Sequence, residues 1–145
     1  MTITGGCRCG AVRYRLAVDA MPGTYACHCT ICQRSTGASF AHQMPVREGA
    51  LEVSGELVEA RIVGLSGALS IMRHCASCLT RIYNTNEARP GLAIVRAGTV
   101  DGSETLSPLL HIYISTKQPW IALPEGAPAY AEAAPPEAWR ALVRG

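Results

Sequence analysis

Seven cysteines fall at positions 7 and 9, at 27, 29 and 32, and at 75 and 78, and none stands alone. Cysteines serving as small apolar core residues have no reason to gather one or two residues apart. An odd number cannot pair completely within one chain, and a reducing compartment keeps thiols free, so a disulfide framework is a poor account of them. Zinc is a better one. A tight turn points sulfurs two or three positions apart the same way, and zinc prefers soft thiolates in a tetrahedron. Cys7 with Cys9 and Cys75 with Cys78 offer four ligands from two such turns, enough for a closed structural site. That site would tie the start of the chain to its middle, and its binding free energy would be folding free energy.

Cys27-His28-Cys29-Thr30-Ile31-Cys32 is different, with three thiolates from one short segment and no evident fourth. Three protein ligands and a vacant position is the arrangement of catalytic zinc. Spacing alone leaves other readings open. His28, His42, His74 or His111 would close the site if it filled the vacancy, and Cys7 with Cys9 could join two of the triplet in an ordinary finger. Cys29/Cys32 or Cys75/Cys78 could be redox pairs, although neither lies in the strand–helix–strand pattern that a thioredoxin-like motif requires. His28 sits between two ligands in an extended run, so its ring should point away from theirs.

The elements that must position these groups read as mainly β. Residues 11–18 alternate polar and apolar side chains, and similar patterns recur at 51–54, 57–63, 69–74, 80–84, 92–97 and 110–115. Glycines and Pro108 punctuate them. Two short helices are expected, one over 30–36 directly after the triplet and one over 136–143. In the second, Pro136 suits a first helical position, and Trp139, Leu142 and Val143 share a face. The Ala/Pro-rich stretch 124–135 is expected to run over the surface without regular structure. Cys7/Cys9 and Cys75/Cys78 each lead into an expected strand with a tyrosine five residues on, Tyr14 and Tyr83, as two metal knuckles opening two strands would.

A chain of 145 residues suits one zinc-binding domain over 1–145, burying roughly two-thirds of its unfolded surface. No apolar run approaches the roughly 20 residues of a membrane helix. The start, Met1-Thr2-Ile3-Thr4-Gly5-Gly6, lacks the basic segment and apolar stretch of a secretory signal, so a cytoplasmic location is expected. A formal charge of +2 without a basic block gives no footprint for nucleic acid or a membrane surface.

Three segments carry a family resemblance. Gly5-Gly6-Cys7-Arg8-Cys9-Gly10-Ala11-Val12-Arg13-Tyr14, then Cys27-His28-Cys29-Thr30-Ile31-Cys32-Gln33-Arg34-Ser35-Thr36-Gly37-Ala38-Ser39-Phe40, then Cys75-x-x-Cys78 closely resemble the glutathione-dependent formaldehyde-activating enzymes, a family related to the zinc domain of centromere protein V. The later Val95-Arg96-Ala97-Gly98-Thr99 and the run from His111 to Trp120 resemble its second half. The resemblance implies a β-tent-like fold of small antiparallel sheets around zinc. It also implies a partition, with Cys7, Cys9, Cys75 and Cys78 on a structural Zn2+ and Cys27, Cys29 and Cys32 on a catalytic one. The activity it implies is that of a carbon–sulfur lyase joining or parting a small thiol such as glutathione and a small aldehyde such as formaldehyde. Glutathione would bring two carboxylates, for which Arg34 is the first candidate and Lys117 the second. Thr36 and Gly37 would shape the pocket floor, and Phe40 or Trp120 its wall. Arg8, Arg73 and Arg81 would offset the charge of the closed site. A non-catalytic zinc-stabilised binding module and a thiol redox sensor are the competing classes. The chain departs from the family pattern where glycine and proline usually follow the last cysteine. Here Leu79-Thr80-Arg81 stands there, and a bulky leucine could shift the turn's backbone.

Overall fold

The computed structural model describes residues 1–143. In chain order its elements are β1 (Thr2–Gly6), β2 (Arg13–Ala17), β3 (Thr24–Cys27), α1 (Thr30–Thr36), β4 (Ala41–Arg47), β5 (Leu51–Ser54), β6 (Leu57–Val63), β7 (Leu69–Cys75), β8 (Arg81–Asn86), β9 (Leu92–Arg96), β10 (Pro108–Ile112) and α2 (Pro136–Leu142). The chain is mainly β, as expected. One sheet has three strands in the order β1-β2-β5, and the other has seven in the order β10-β3-β4-β9-β8-β7-β6. The larger sheet is mixed rather than purely antiparallel, because β10 returns parallel to β3. No described helix is long and apolar enough to cross a membrane.

Strand alternation places a different core on each face of the larger sheet. Met44, Val46, Ile82 and Val95 pack against Tyr14 and Leu16 of the smaller sheet, and Cys7 and Cys75 belong to this cluster. On the opposite face Tyr25, Ile94 and Ile112 pack with Trp139 and Leu142 of α2, and Cys27 and Cys29 belong to that one. The two cysteine groups thus sit in separate apolar environments. α2 has only seven residues, too few to be stable by itself. It is held by Trp139, which meets Tyr25 edge-on at 4.7 Å and donates to the Ala134 carbonyl at 3.2 Å.

The expected strands at 51–54 and 57–63 appear with those bounds. Three strands escaped the pattern for physical reasons. β1 ends in Gly5-Gly6, which reads as a turn. A Cβ on Gly5 would lie 2.2 Å from the Tyr14 hydroxyl, so that glycine serves close packing instead. β3 is buried at every position and shows no alternation. β4 carries Pro45, which argues against an interior strand, but β3 pairs with β4 only as far as Gln43, so Pro45 has a partner strand on one side only. The stretch 124–135 lacks helix or strand and is nonetheless tied down. His111 donates to the Pro128 carbonyl at 2.9 Å, and Tyr130 donates to the His111 carbonyl at 3.0 Å.

Candidate metal centres and the cavity beside them

Cys7 and Cys9 stand on the turn between β1 and β2, and Cys75 and Cys78 on the turn between β7 and β8. All four sulfurs lie within 4.8 Å of one another. The Cys7–Cys9 and Cys9–Cys75 sulfur separations are 3.5 and 3.8 Å. A tetrahedron with zinc–sulfur bonds of about 2.3 Å has edges of about 3.8 Å, so the donor set fits that ion. The backbone prepares the sulfurs for charge. The Val12 N–H points at Cys7 Sγ at 3.2 Å, and the Cys78 N–H points at Cys75 Sγ at 3.5 Å. Cys78 is pulled down to about 5, first by the Thr80 hydroxyl and then by backbone N–H groups. Cys9 receives the Ala11 N–H, yet its neighbours Cys7 and Cys78 push it up to about 11. Four adjacent sulfurs cannot all ionise unaided, and a dication removes that obstacle.

Leu79 completes this second turn at φ 60°, the left-handed region that glycine occupies freely, and its side chain is 66% exposed. Its N–H still reaches the Cys75 carbonyl at 3.0 Å, so the turn closes despite the leucine. A side chain in that region costs roughly 1–2 kcal/mol, partly offset by glycine's greater entropy loss on folding. Leu79→Gly should therefore stabilise the protein by about 0.5–1 kcal/mol, read as a melting temperature raised by about 1–4 °C. A lowered melting temperature would mean that the leucine side chain makes a contact the exposure does not suggest.

The triplet is built by a strand meeting a helix. Cys27 ends β3, Cys29 is the N-cap of α1, and Cys32 lies in its first turn. Cys29 Sγ accepts the Cys32 N–H at 3.3 Å, the role a serine or aspartate oxygen plays at most helix starts. The three sulfurs lie within 4.8 Å of one another, and among the described residues no histidine or carboxylate joins them. Cys29 is pulled down to about 2 by the thiols of Cys27 and Cys32, helped by backbone N–H groups of the helix start. Cys27 is pushed up, first by its neighbours Cys29 and Cys32 and then by burial. Three adjacent thiols oppose one another's ionisation, and a dication would relieve that opposition. His28 is fully buried and its Nε2 meets His111 Nδ1 at 2.9 Å, while His42 Nε2 meets the Thr24 hydroxyl at 2.8 Å.

The three cysteines open onto a cavity of roughly 230 Å3. Gln43 Nε2 points at Cys32 Sγ at 3.8 Å, and Arg81, Asn84 and Tyr113 line other walls. Arg81 reaches this face through an irregularity in strand pairing. Met72 faces Asn84 and Arg73 faces Tyr83, but His74 then faces Arg81 where regular pairing would give Ile82. One extra residue in β8 turns Arg81 to the side of Met72 and Asn84. Burial and the neighbouring Arg96 pull Arg81 down to about 10, which leaves it protonated at neutral pH. Arg96 stands opposite Gln43 in the β4–β9 pair, and burial lowers it too, against the opposing pull of Cys32, Tyr25, Cys27 and Cys29. Tyr113 sits at φ 56°, a conformation rarely held without some local cause.

Several expected site residues stand elsewhere. Arg34 and Gly37 line a separate depression beside α1, together with Gln118, that shares no residue with the cysteine-lined cavity. Thr36 donates to the Cys32 carbonyl at 2.7 Å, and Gly37 closes the helix at φ 66°, so both end α1. Lys117 gives its ammonium to the carbonyls of Gln118 and Ile121 at 3.2 and 2.6 Å. Trp120 is 71% exposed and Phe40 packs beside the His28 ring, while Tyr25 and Tyr113 are the cavity's aromatic walls. Arg73 pairs with Glu59 at 3.5 Å, and Arg81 serves the triplet's cavity rather than the four-cysteine group. Arg96 and Gln43 are polar neighbours that local sequence did not flag, and Arg81 was expected beside the other cysteine group. Their roles depend on pairing register, which leaves no mark on adjacent residues.

The sequence model of the glutathione-dependent formaldehyde-activating enzymes matches residues 2–116, a span holding both cysteine groups and all ten strands. A protein of Halomonas elongata, provisionally named a glutathione-dependent formaldehyde-activating enzyme, is 26% identical over 130 residues, covering 85% of this chain and 82% of that protein. A crystal structure of a Rhodobacter sphaeroides protein shares the fold, with a TM-score of 0.55 at 17% identity over 88% of this chain and 98% of that one. The family match embraces the turns, the helix start and the strands that gather the seven sulfurs, and on that ground the chain belongs to the glutathione-dependent formaldehyde-activating enzyme family.

Proposed function

We propose that this chain is a cytoplasmic zinc enzyme of the carbon–sulfur lyase type, similar to an S-(hydroxymethyl)glutathione synthase, that joins or parts a small thiol and a small aldehyde. Glutathione and formaldehyde are the pair that the family's name supplies. The observation that carries the reading is the triplet, three sulfurs gathered within 4.8 Å and opening on a cavity, with no fourth ligand among the described residues. The four-cysteine group is given the structural role because it already offers four donors within 4.8 Å of one another.

Zinc bound at the triplet would supply a position where a substrate thiol can ionise. A thiol of pKa about 8.5 is already a few per cent ionised at pH 7, so full ionisation gains only about 2 kcal/mol. Positioning must provide the rest. In the forward direction the thiol loses its proton, its sulfur bonds to the aldehyde carbon, and the carbonyl oxygen gains a proton. The chain's own groups suit these steps. Cys29 is held by the helix start, Gln43 steadies Cys32, and Tyr113 keeps its proton because burial, then Cys27 and Cys29, raise it. Arg34 is assigned to the far carboxylate of an extended thiol, with Thr36 and Gly37 fixing its place by ending α1.

Cobalt in place of zinc makes thiol binding visible, because thiolate coordination changes the ion's absorption. Glutathione should alter that absorption, with an apparent affinity that rises with pH until the thiol is fully ionised, since binding releases its proton. Arg34→Ala should weaken binding by about 1–3 kcal/mol through loss of a charge-assisted pair. A spectrum indifferent to every thiol tried would favour a non-catalytic binding module. Glutathione binding unaltered by Arg34→Ala would remove only the role given to Arg34.

A further inference from the structure

Both terminal guanidinium nitrogens of Arg96, and Nε of Arg81, are buried without a hydrogen-bond partner among the described residues. Asn84 accepts from Nη2 of Arg81 at 2.6 Å, and a neutral amide does not balance a cation. The described salt bridges join Arg13 to Asp101 and Arg73 to Glu59, so neither buried arginine draws on a carboxylate there. Two neighbouring, unbalanced guanidinium groups are an unfavourable arrangement unless an anion completes it.

The charges beside the triplet indicate how much anion is missing. Three thiolates and a dication would sum to −1, which Arg96, across the sheet from the Gln43 that meets Cys32, offsets. Arg81 and Arg89 then remain on the cavity wall, and no aspartate or glutamate lines that cavity. Arg89 is stacked on the Trp139 ring, its guanidinium carbon 4.0 Å from the ring centre, which fixes it as part of the wall. A neutral thiol bound as thiolate supplies one negative charge. A thiol that also carries a carboxylate supplies two and balances the cavity.

We propose that Arg81, turned into the cavity by the β8 irregularity, is a specificity-determining residue that holds a carboxylate of the substrate thiol, so that the pocket selects anionic small thiols over neutral ones. This deepens the thiol–aldehyde reading and rests on it for the thiol. The carboxylate site itself rests on the arginine and the cavity. Arg96, with both terminal nitrogens buried and no place in the cavity lining, acts by opposing the thiolate charge, not by touching the ligand.

Two thiols of similar size separate charge from coordination: 3-mercaptopropionate, which is anionic, and 2-mercaptoethanol, which is neutral. Dissociation constants are read from cobalt absorption and corrected for each thiol's ionisation. The intact protein should favour 3-mercaptopropionate by about ten- to a hundredfold, the range expected for a charge-assisted contact. Arg81→Gln should bring that ratio close to one while leaving 2-mercaptoethanol within about twofold, and Arg81→Lys should keep part of the preference because it retains charge without the planar fork. Equal affinities in the intact protein, or a ratio that survives Arg81→Gln, would overturn the proposal. Should Arg81→Gln not fold, the ratio in Arg81→Lys decides, since an undiminished preference there overturns it equally. If neither thiol alters the cobalt spectrum, the thiol–aldehyde reading fails and 3-(methylthio)propionate, which has the carboxylate and no free thiol, tests the site alone. A dose-dependent rise in melting temperature that is lost in Arg81→Gln would sustain the carboxylate site, and its absence in the intact protein would end it.

Discussion

Cys75→Ser should leave little soluble folded protein, and what remains should lack the metal of the four-cysteine group. Cys75 is fully buried, closes β7 and belongs to the core between the sheets. Its sulfur lies 3.8 Å from that of Cys9, 66 positions earlier in the chain, so one ion there would fasten the β1–β2 turn to the β7–β8 turn. Apparent binding free energies of structural zinc are about 10–16 kcal/mol, as large as the whole stability of an ordinary domain at about 5–15 kcal/mol. Losing one ligand of four forfeits much of that term and leaves a hydroxyl in an apolar site. Solubility, metal content by mass spectrometry and the melting transition together read the outcome. A soluble variant with unchanged melting temperature and zinc content would show that these cysteines do not share a structural ion.

The triplet and each of the two cysteine pairs were legible in the sequence because each comes from a single turn, where spacing and geometry are nearly the same thing, whereas spacing alone left open which groups share an ion. The first helix was expected directly after the triplet, and the structure supplies a physical reason, since Cys29 caps it by accepting the Cys32 N–H. Strands with one buried face announced themselves, as at β2, where exposed and buried residues alternate. β3 did not, because burial on both faces removes alternation, and β4 did not, because Pro45 is tolerated only where its neighbour strand has stopped. Leu79 could be singled out by its departure from a glycine pattern, and its positive φ supplies the physical reason that glycine is usual there. The cavity walls opposite the triplet were out of reach. Arg81 faces the cavity only because β8 has one residue too many against β7, and Arg96 meets Gln43 only through the register of β4 with β9. Such placements are set by pairing across the sheet, so they leave no mark on neighbouring residues, whereas Arg34 stands close to the cysteines in sequence.

Cys29→Ser should remove one zinc per chain, reduce thiol–aldehyde activity to background and leave the fold intact. The position has two roles that this substitution separates. Cys29 is a member of the triplet and also the N-cap of α1, accepting the Cys32 N–H at 3.3 Å. Serine is a preferred N-cap residue, so its oxygen can take over the second role while failing as a soft ligand in the first. Cys29→Ala loses both and should cost about 1 kcal/mol more in stability than the serine variant. The difference between the two variants therefore measures the cap, and what they share measures the metal. Because the triplet would draw all its ligands from one short segment of chain, a metal there would close no long loop, and its loss should move the melting temperature far less than Cys75→Ser does. Should Cys29→Ser instead lose all zinc and unfold, the triplet would be a second structural site and the catalytic reading would lose its foundation. Should it keep full activity with one zinc gone, the chemistry would lie away from the triplet altogether.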